Sequence, residues 1–192
     1  MTATNDSTPC RLPCVLSTPA LARGLRQNPR LLRLLGGRRT SCAPSLYLLL
    51  QHGYRASELC RTKRDDFDSR RARLWVRRLK GSLSTDQPIT GNALRALKTY
   101  MRSRTDRLPW LFVSERGTPF TRQGLYYLIT VIGQRAGLKH VHPHMLRHSC
   151  GYALADKGAD ARLIQDYLGH RDLRHTMRYT RTAVKRFEGL WE

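Results

Sequence analysis

The stretch "HPHMLRHSCGYALADKGADARLIQDYLGHRDLRHTMRYT" runs from His142 to Thr180. Its apolar residues return at helical spacing, in runs separated by Gly158 and Gly169. Pro143 suits a first helical position, where its missing N–H costs nothing. Leu146, Cys150, Ala153 and Leu154 then face inward, and Gly158 closes the helix. Asp160 is placed to cap a second helix with Leu163, Ile164, Tyr167 and Leu168 inward, ended by Gly169. Asp172 can cap a third. Helix follows helix here, and the strand signals lie upstream.

Working back, Thr121 caps a helix carrying Leu125, Leu128, Ile132 and Ala136, closed by Gly137. "WLFVS" is a short buried strand or extended piece. Thr90 caps a helix with Leu94, Leu97 and Met101 inward. "ARLWVRRLK" alternates, with Leu74 and Val76 on one face and Trp75 on the other. "KGSLSTDQPIT" turns into a second strand ending at Pro88-Ile89. Asp65, Asp66 and Asp68 form a polar turn. Pro44 to His52 reads as a helix ended by Gly53, and "RASELCRT" begins another near Ser57. The fold class is mainly α with a small antiparallel β-sheet or hairpin. "AVKRFEGLWE", residues 183–192, spaces Val184, Phe187 and Trp191 as an amphipathic C-terminal helix. It either packs on its own domain or docks on a neighbouring copy.

Lys plus Arg number 35 against 14 Asp plus Glu, a net charge of +21 over 192 residues. A folded chain this basic repels itself unless it meets a polyanion, so nucleic acid is the first partner to consider. A ribosomal-type protein or a binder of anionic membranes would look similar on charge alone. The five cysteines are odd in number and irregularly spaced, which argues against a disulfide framework and fits a reducing cytoplasm. The longest aliphatic run, "LYLLL", is too short to span a bilayer. Residues 1–43 read as a basic, poorly ordered arm suited to touching DNA phosphates, or as a tail without function. Their Arg-rich, acid-poor character is also that of a transit peptide.

His144 and His148 stand one turn apart, as zinc ligands do. The metalloprotease pattern needs Glu after the first His, and Met145 stands there. Arg147 would place a fixed cation beside the metal. A structural reading makes His144 a helix cap and packs His148 in the core. A third reading fits the pair of His144 and Arg147 better, because guanidinium and imidazole together grip a phosphate.

These residues resemble the C-terminal signature of the tyrosine recombinases, the lambda-integrase family: H-x-L-R-H, then L-G-H, then Tyr. His144, Arg147, His170 and Tyr179 fill it. "GYRASEL" supplies the family's first arginine as Arg55, and "VRRLKGS" supplies its hairpin lysine as Lys80. The resemblance covers about residues 44–192, with the catalytic domain at 44–182, and is nearest to the small invertases that switch fimbrial promoters. The first 43 residues depart from it.

The resemblance implies DNA cleavage and rejoining through a 3′-phosphotyrosine, with neither metal nor cofactor. Arg55 and Arg147 clamp the non-bridging oxygens, His170 adds a donor, and His144 helps deprotonate Tyr179 or hydrogen-bonds the phosphate. Lys80 protonates the leaving 5′-oxygen, although Arg77 and Arg78 beside it are rival phosphate contacts. Tyr179 is the nucleophile. Tyr167, the rival tyrosine, follows the apolar stripe into the core. His148 supports Arg147, and Glu58 and Asp166 either support the site or pair on the surface. The implied partners are double-stranded DNA with inverted-repeat sites, further copies of the chain in a tetrameric synapse, and accessory DNA-bending proteins. The alternatives are an integrase or excisionase of a mobile element, a type IB topoisomerase-like enzyme, and a noncatalytic DNA-binding regulator.

Overall fold

The structure, a computed structural model, describes residues 28, 30–31, 42–79, 81–114 and 116–181. Lys80, the tail at 183–192 and most of the N-terminal arm therefore lie outside the described residues. Within that arm, Leu31 is helical and buried in the core.

Helix α1 (Cys42–His52) is apolar around its whole circumference, and a helix of that kind belongs inside a domain. Ala43, Leu46, Leu48, Leu49 and Leu50 are all buried. Full burial of one such leucine stabilises the fold by about 1.5–3 kcal/mol. After α1 come α2 (Ala56–Cys60), a 3₁₀ turn (Arg64–Asp66), and strands β1 (Phe67–Asp68), β2 (Arg73–Val76) and β3 (Thr85–Pro88). The strands form an antiparallel sheet in the order β1-β2-β3, with Leu74 opposite Phe67 and Gln87. Leu74 and Val76 face the core and Trp75 faces out, as their alternation requires.

Helices α3 (Gly91–Ser103), α4 (Arg122–Arg135), α5 (Pro143–Asp156), α6 (Ala161–Leu168) and α7 (Arg174–Thr180) complete the described fold. Thr121 Oγ1 accepts from Gly124 N at the start of α4, and Asp160 accepts from Arg162 N and Leu163 N at the start of α6. Thr90 precedes α3 but makes no side-chain cap bond, and the buried face of α3 is Ala93, Leu97 and Tyr100. Leu94 and Met101 are only partly buried against it. "WLFVS" forms no strand; Trp110 bridges to Lys63 and Val113 to Pro119.

Leu163 corrects the sequence reading most clearly, since it is 54% exposed. Helix α6 is eight residues long and meets the core along one narrow line, Ile164 and Leu168. No flanking turn remains to cover Leu163.

The buried apolar residues form two clusters. The larger gathers α1 to α4, the sheet and the start of α5. The smaller holds Cys150, Tyr152, Ala155, Ile164, Leu168 and Tyr179. Helix α5 runs through both, and Arg147, His148 and Ser149 are buried on it at the seam.

Candidate active site

Glu58 lies on α2 and is only 2% exposed, so it does not pair on the surface. Arg55 precedes α2, donating its backbone N–H to Glu58 Oε2 at 2.9 Å and its guanidinium to Oε1 at 2.5 Å. Arg78 donates to Oε2 at 2.8 Å, and Arg147 approaches to 4.0 Å. Burial alone would raise this carboxyl, but Arg78 and then the Arg55 backbone N–H and guanidinium hold it below the usual carboxylate range. Asp166, the other candidate support, is exposed on α6.

The end of α6 holds the same three arginines. Tyr167 O accepts from Arg78, Leu168 O from Arg147 at 2.6 Å, and Gly169 O from Arg55 at 2.8 Å. These are carbonyls that a helix terminus leaves without an intrahelical partner, at the negative end of its dipole. Gly169 makes the set possible by taking φ 67°, a left-handed conformation that turns the chain away at once. Gly53 O, just past α1, accepts from Arg147 and from Arg78. One carboxylate and two helix ends thus fix three guanidinium groups. Burial, then the charges of Arg55 and Arg78, lower Arg147 to about 9, which still leaves it cationic at neutral pH.

Arg55 and Arg147 line an open pocket of about 490 Å³ with His144, His142, Arg122 and Tyr126. His144 is exposed at the first turn of α5 and its ring meets that of His148 edge-on at 4.2 Å. It does not cap the helix; His142 holds that position and makes no cap bond. Although its outer edge is open, protein crowds the ring, and this together with the Arg147 cation lowers it to about 4. A site of this kind attracts an anion rather than a metal. Among the described residues no three His, Cys, Asp or Glu side chains gather to hold an ion.

Tyr179 faces the other cluster and is 1% exposed. Its hydroxyl is 2.8 Å from His148 Nδ1, and its ring meets Tyr152 edge-on at 5.0 Å and stacks over His170 at 6.1 Å. The ring rests directly on Gly151, where a Cβ would lie 2.7 Å from its Cε2 and Cζ. Burial pushes the phenol up to about 12 despite the Arg147 and Arg178 charges. His170 Nδ1 is 2.9 Å from Thr176 Oγ1, and burial followed by the Arg147 and Arg55 charges brings it down to about 3. Burial likewise brings His148 down to about 3, so the buried His148 and the half-buried His170 are both neutral near pH 7.

The structure brings Arg55, His144 and Arg147 to one pocket and Tyr179 and His170 to the seam behind it. Tyr167 is half-buried, its hydroxyl donating to Gln51 O at 3.0 Å. Arg77 is exposed and pairs with Asp66 at 2.8 Å. Arg78 is buried, its guanidinium taken up by Glu58 and the carbonyls of His52, Gly53 and Tyr167, and its place beneath the site was missed from sequence. One signal was available: Arg78 has the same parity as the inward Leu74 and Val76. His148 supports Tyr179 directly, a contact 31 residues apart that no local pattern announces.

Comparison with known proteins gives a consistent answer. A model of the phage integrase family matches residues 32–186. The chain is 47% identical over 146 residues to the type 1 fimbriae regulatory protein FimB of Escherichia coli K12, covering 73% of each chain. It is 45% identical over 153 residues to the type 1 fimbriae regulatory protein FimE of the same strain, covering 77% of each. Among solved structures it resembles XerA recombinase with a TM-score of 0.73 and 30% identity. That match covers 81% of this chain and 58% of that one.

Proposed function

The chain belongs to the phage integrase family and is a tyrosine-type site-specific recombinase, and we propose that it breaks and rejoins duplex DNA with Tyr179 as nucleophile. In this reading it inverts a promoter element that governs fimbrial genes. The observation that carries it is the seating of Arg55 and Arg147 on one buried carboxylate, beside the helix against which Tyr179 packs.

A phosphodiester is anionic and resists attack by an oxygen nucleophile. Arg55 and Arg147 grip its non-bridging oxygens from positions already set by Glu58 and the α6 carbonyls, so little reorganisation is needed as charge develops. The Tyr179 hydroxyl attacks phosphorus; the Oη–P bond forms as the P–O5′ bond breaks. The phenol proton leaves to the neutral imidazole of His144, and Lys80, between β2 and β3 in the sequence, supplies a proton to O5′. His170 donates to the phosphoryl oxygens. The 3′-phosphotyrosine conserves the bond energy until a new 5′-hydroxyl reverses the step. Tyr179 must first leave its buried seat, and binding of DNA along the α5–α7 face is the event that draws it out.

The catalytic unit is residues 44–182. The basic arm at 1–43 touches DNA phosphates, and the tail at 183–192 docks between copies in a tetrameric synapse on inverted repeats, with DNA-bending proteins as accessory partners. The test is to incubate the protein with supercoiled DNA from the flanks of its own gene. A new restriction pattern with the intervening segment reversed supports the reading. Relaxation without reversal points to a topoisomerase-like enzyme, and loss of the segment as a circle points to excision. Binding without cleavage points to a regulator.

A further inference from the structure

Arg78 has the most enclosed side chain of the arginine set, 0% exposed against 3% for Arg147 and 35% for Arg55. It also has the most acceptors. Its guanidinium donates to Glu58 Oε2 at 2.8 Å, Gly53 O at 3.4 Å, His52 O at 3.3 Å and Tyr167 O. Its stem lies against Gly169, where a Cβ would come 2.9 Å from Arg78 Cδ. The guanidinium carbon stands 5.7 Å from the centre of the Tyr54 ring.

The place of this residue in the chain gives the arrangement its consequence. Arg78 leaves the end of β2, and its backbone N–H donates to Ser84 Oγ at 3.0 Å, across the mouth of the hairpin. Lys80 is two residues further on. On β3, Gln87, paired with Leu74, reaches the same Tyr167 carbonyl through Nε2 at 3.0 Å. Among the described residues of the tip, Leu83 is 66% exposed and an added Cβ at Gly81 would meet open space. A long, multiply bonded side chain therefore moors an otherwise open hairpin to the floor that holds Arg55 and Arg147.

We propose that Arg78 is a positioning residue that moors the β2–β3 hairpin to Glu58 and the end of α6, so that Lys80 meets the leaving 5′-oxygen. The proposal rests on the assignment of Lys80 as the proton donor. Only a guanidinium can serve, because one planar group has to reach a carboxylate and carbonyls from two helix ends at once. A lysine keeps the charge beside Glu58 and loses the span.

The test uses Arg78→Lys, Arg78→Met and Lys80→Ala in the full chain. Each is assayed for covalent adduct on a nicked duplex, taken from flanking DNA on which the wild-type protein forms it. A second duplex carries sulfur in place of the bridging 5′-oxygen, a leaving group that departs without a proton. Thermal melting and DNA binding are measured alongside, and if Arg78→Met does not fold the result is read from Arg78→Lys. The expected result is that Arg78→Lys binds DNA normally and cleaves the oxygen substrate at least about tenfold more slowly. Such a loss is a part of the roughly 10²–10⁴-fold that positioned proton transfer contributes, since Lys80 itself remains. On the sulfur substrate its rate returns to nearly that of wild type, as does that of Lys80→Ala. If sulfur rescues Lys80→Ala and leaves Arg78→Lys equally slow, or if Arg78→Lys is not slow at all, the proposal is overturned alone. If sulfur fails to rescue Lys80→Ala, the proton-donor assignment falls and the proposal falls with it.

Discussion

Replacing Glu58 with alanine removes the carboxylate at which Arg55 and Arg78 both end, 2.5 Å and 2.8 Å away. Arg78 is then a buried cation without a counter-charge, an outcome that costs about 3–5 kcal/mol when one partner of a buried pair is removed. Arg78 retains the carbonyls of His52, Gly53 and Tyr167, which places the loss near the lower end, about 3 kcal/mol. For a domain of this size that lowers Tm by about 6–12 °C. The control is Asp86→Ala, which breaks a pair with Arg73 whose side chains are 44% and 43% exposed. An exposed pair contributes about 0–1 kcal/mol, so its Tm should move by only a few degrees. Because the Glu58 carboxyl is held below its ordinary value of 4.5, its stabilisation is complete above pH 4.5 and is lost as pH falls through the lower folded value. The gap between wild type and Glu58→Ala, followed by calorimetry, should stay constant from pH 7 to pH 5 and narrow only in stronger acid. A Glu58→Ala protein melting within 2 °C of wild type, or no further from it than Asp86→Ala, would refute the claim that this carboxylate holds the site together.

Two further perturbations probe the seam. Gly151→Ala places a methyl group 2.7 Å from the Tyr179 ring, and overpacking of this kind costs about 1–3 kcal/mol. It should lower Tm although alanine is the better helix former, and a Tm at or above wild type would show that the ring is not seated there. His148 is brought down to about 3, chiefly by burial, whereas in the unfolded chain it binds a proton below about 6.5. The unfolded state therefore holds more protons between those values, and stability falls as pH drops, by about 2 kcal/mol from this residue between pH 7.5 and pH 5. Denaturant unfolding at the two pH values should show that loss in wild type and a smaller one in His148→Gln; equal losses would remove His148 as the cause.

The helices and the sheet were legible where a pattern was long or sharply bounded. Gly169 and Asp160 mark the limits of α6, and the alternation of Leu74, Trp75 and Val76 matches their burial. Leu163 was misread because periodicity assigns a face without saying how far the neighbouring elements reach. The site was legible as residue types at spacings, which brought Arg55, His144, Arg147, His170 and Tyr179 forward together. Its support was not. Glu58 looks like half of a surface pair with Arg55 until Arg78 arrives from 20 residues away. The three carbonyls at the end of α6 carry no side-chain signature at all, since backbone acceptors are the same in every sequence. The burial of Tyr179 was equally invisible, because it depends on α7 packing onto Gly151 and His148.

The central claim is that Tyr179 is the nucleophile, and covalent trapping tests it most directly. On a nicked duplex whose 5′ fragment diffuses away after cleavage, the wild-type protein should form an adduct. Mass spectrometry should place a 3′-phosphate on Tyr179, and Tyr179→Phe should bind the same duplex without forming any adduct. An adduct that persists in Tyr179→Phe, or that maps to Tyr167, would contradict the account.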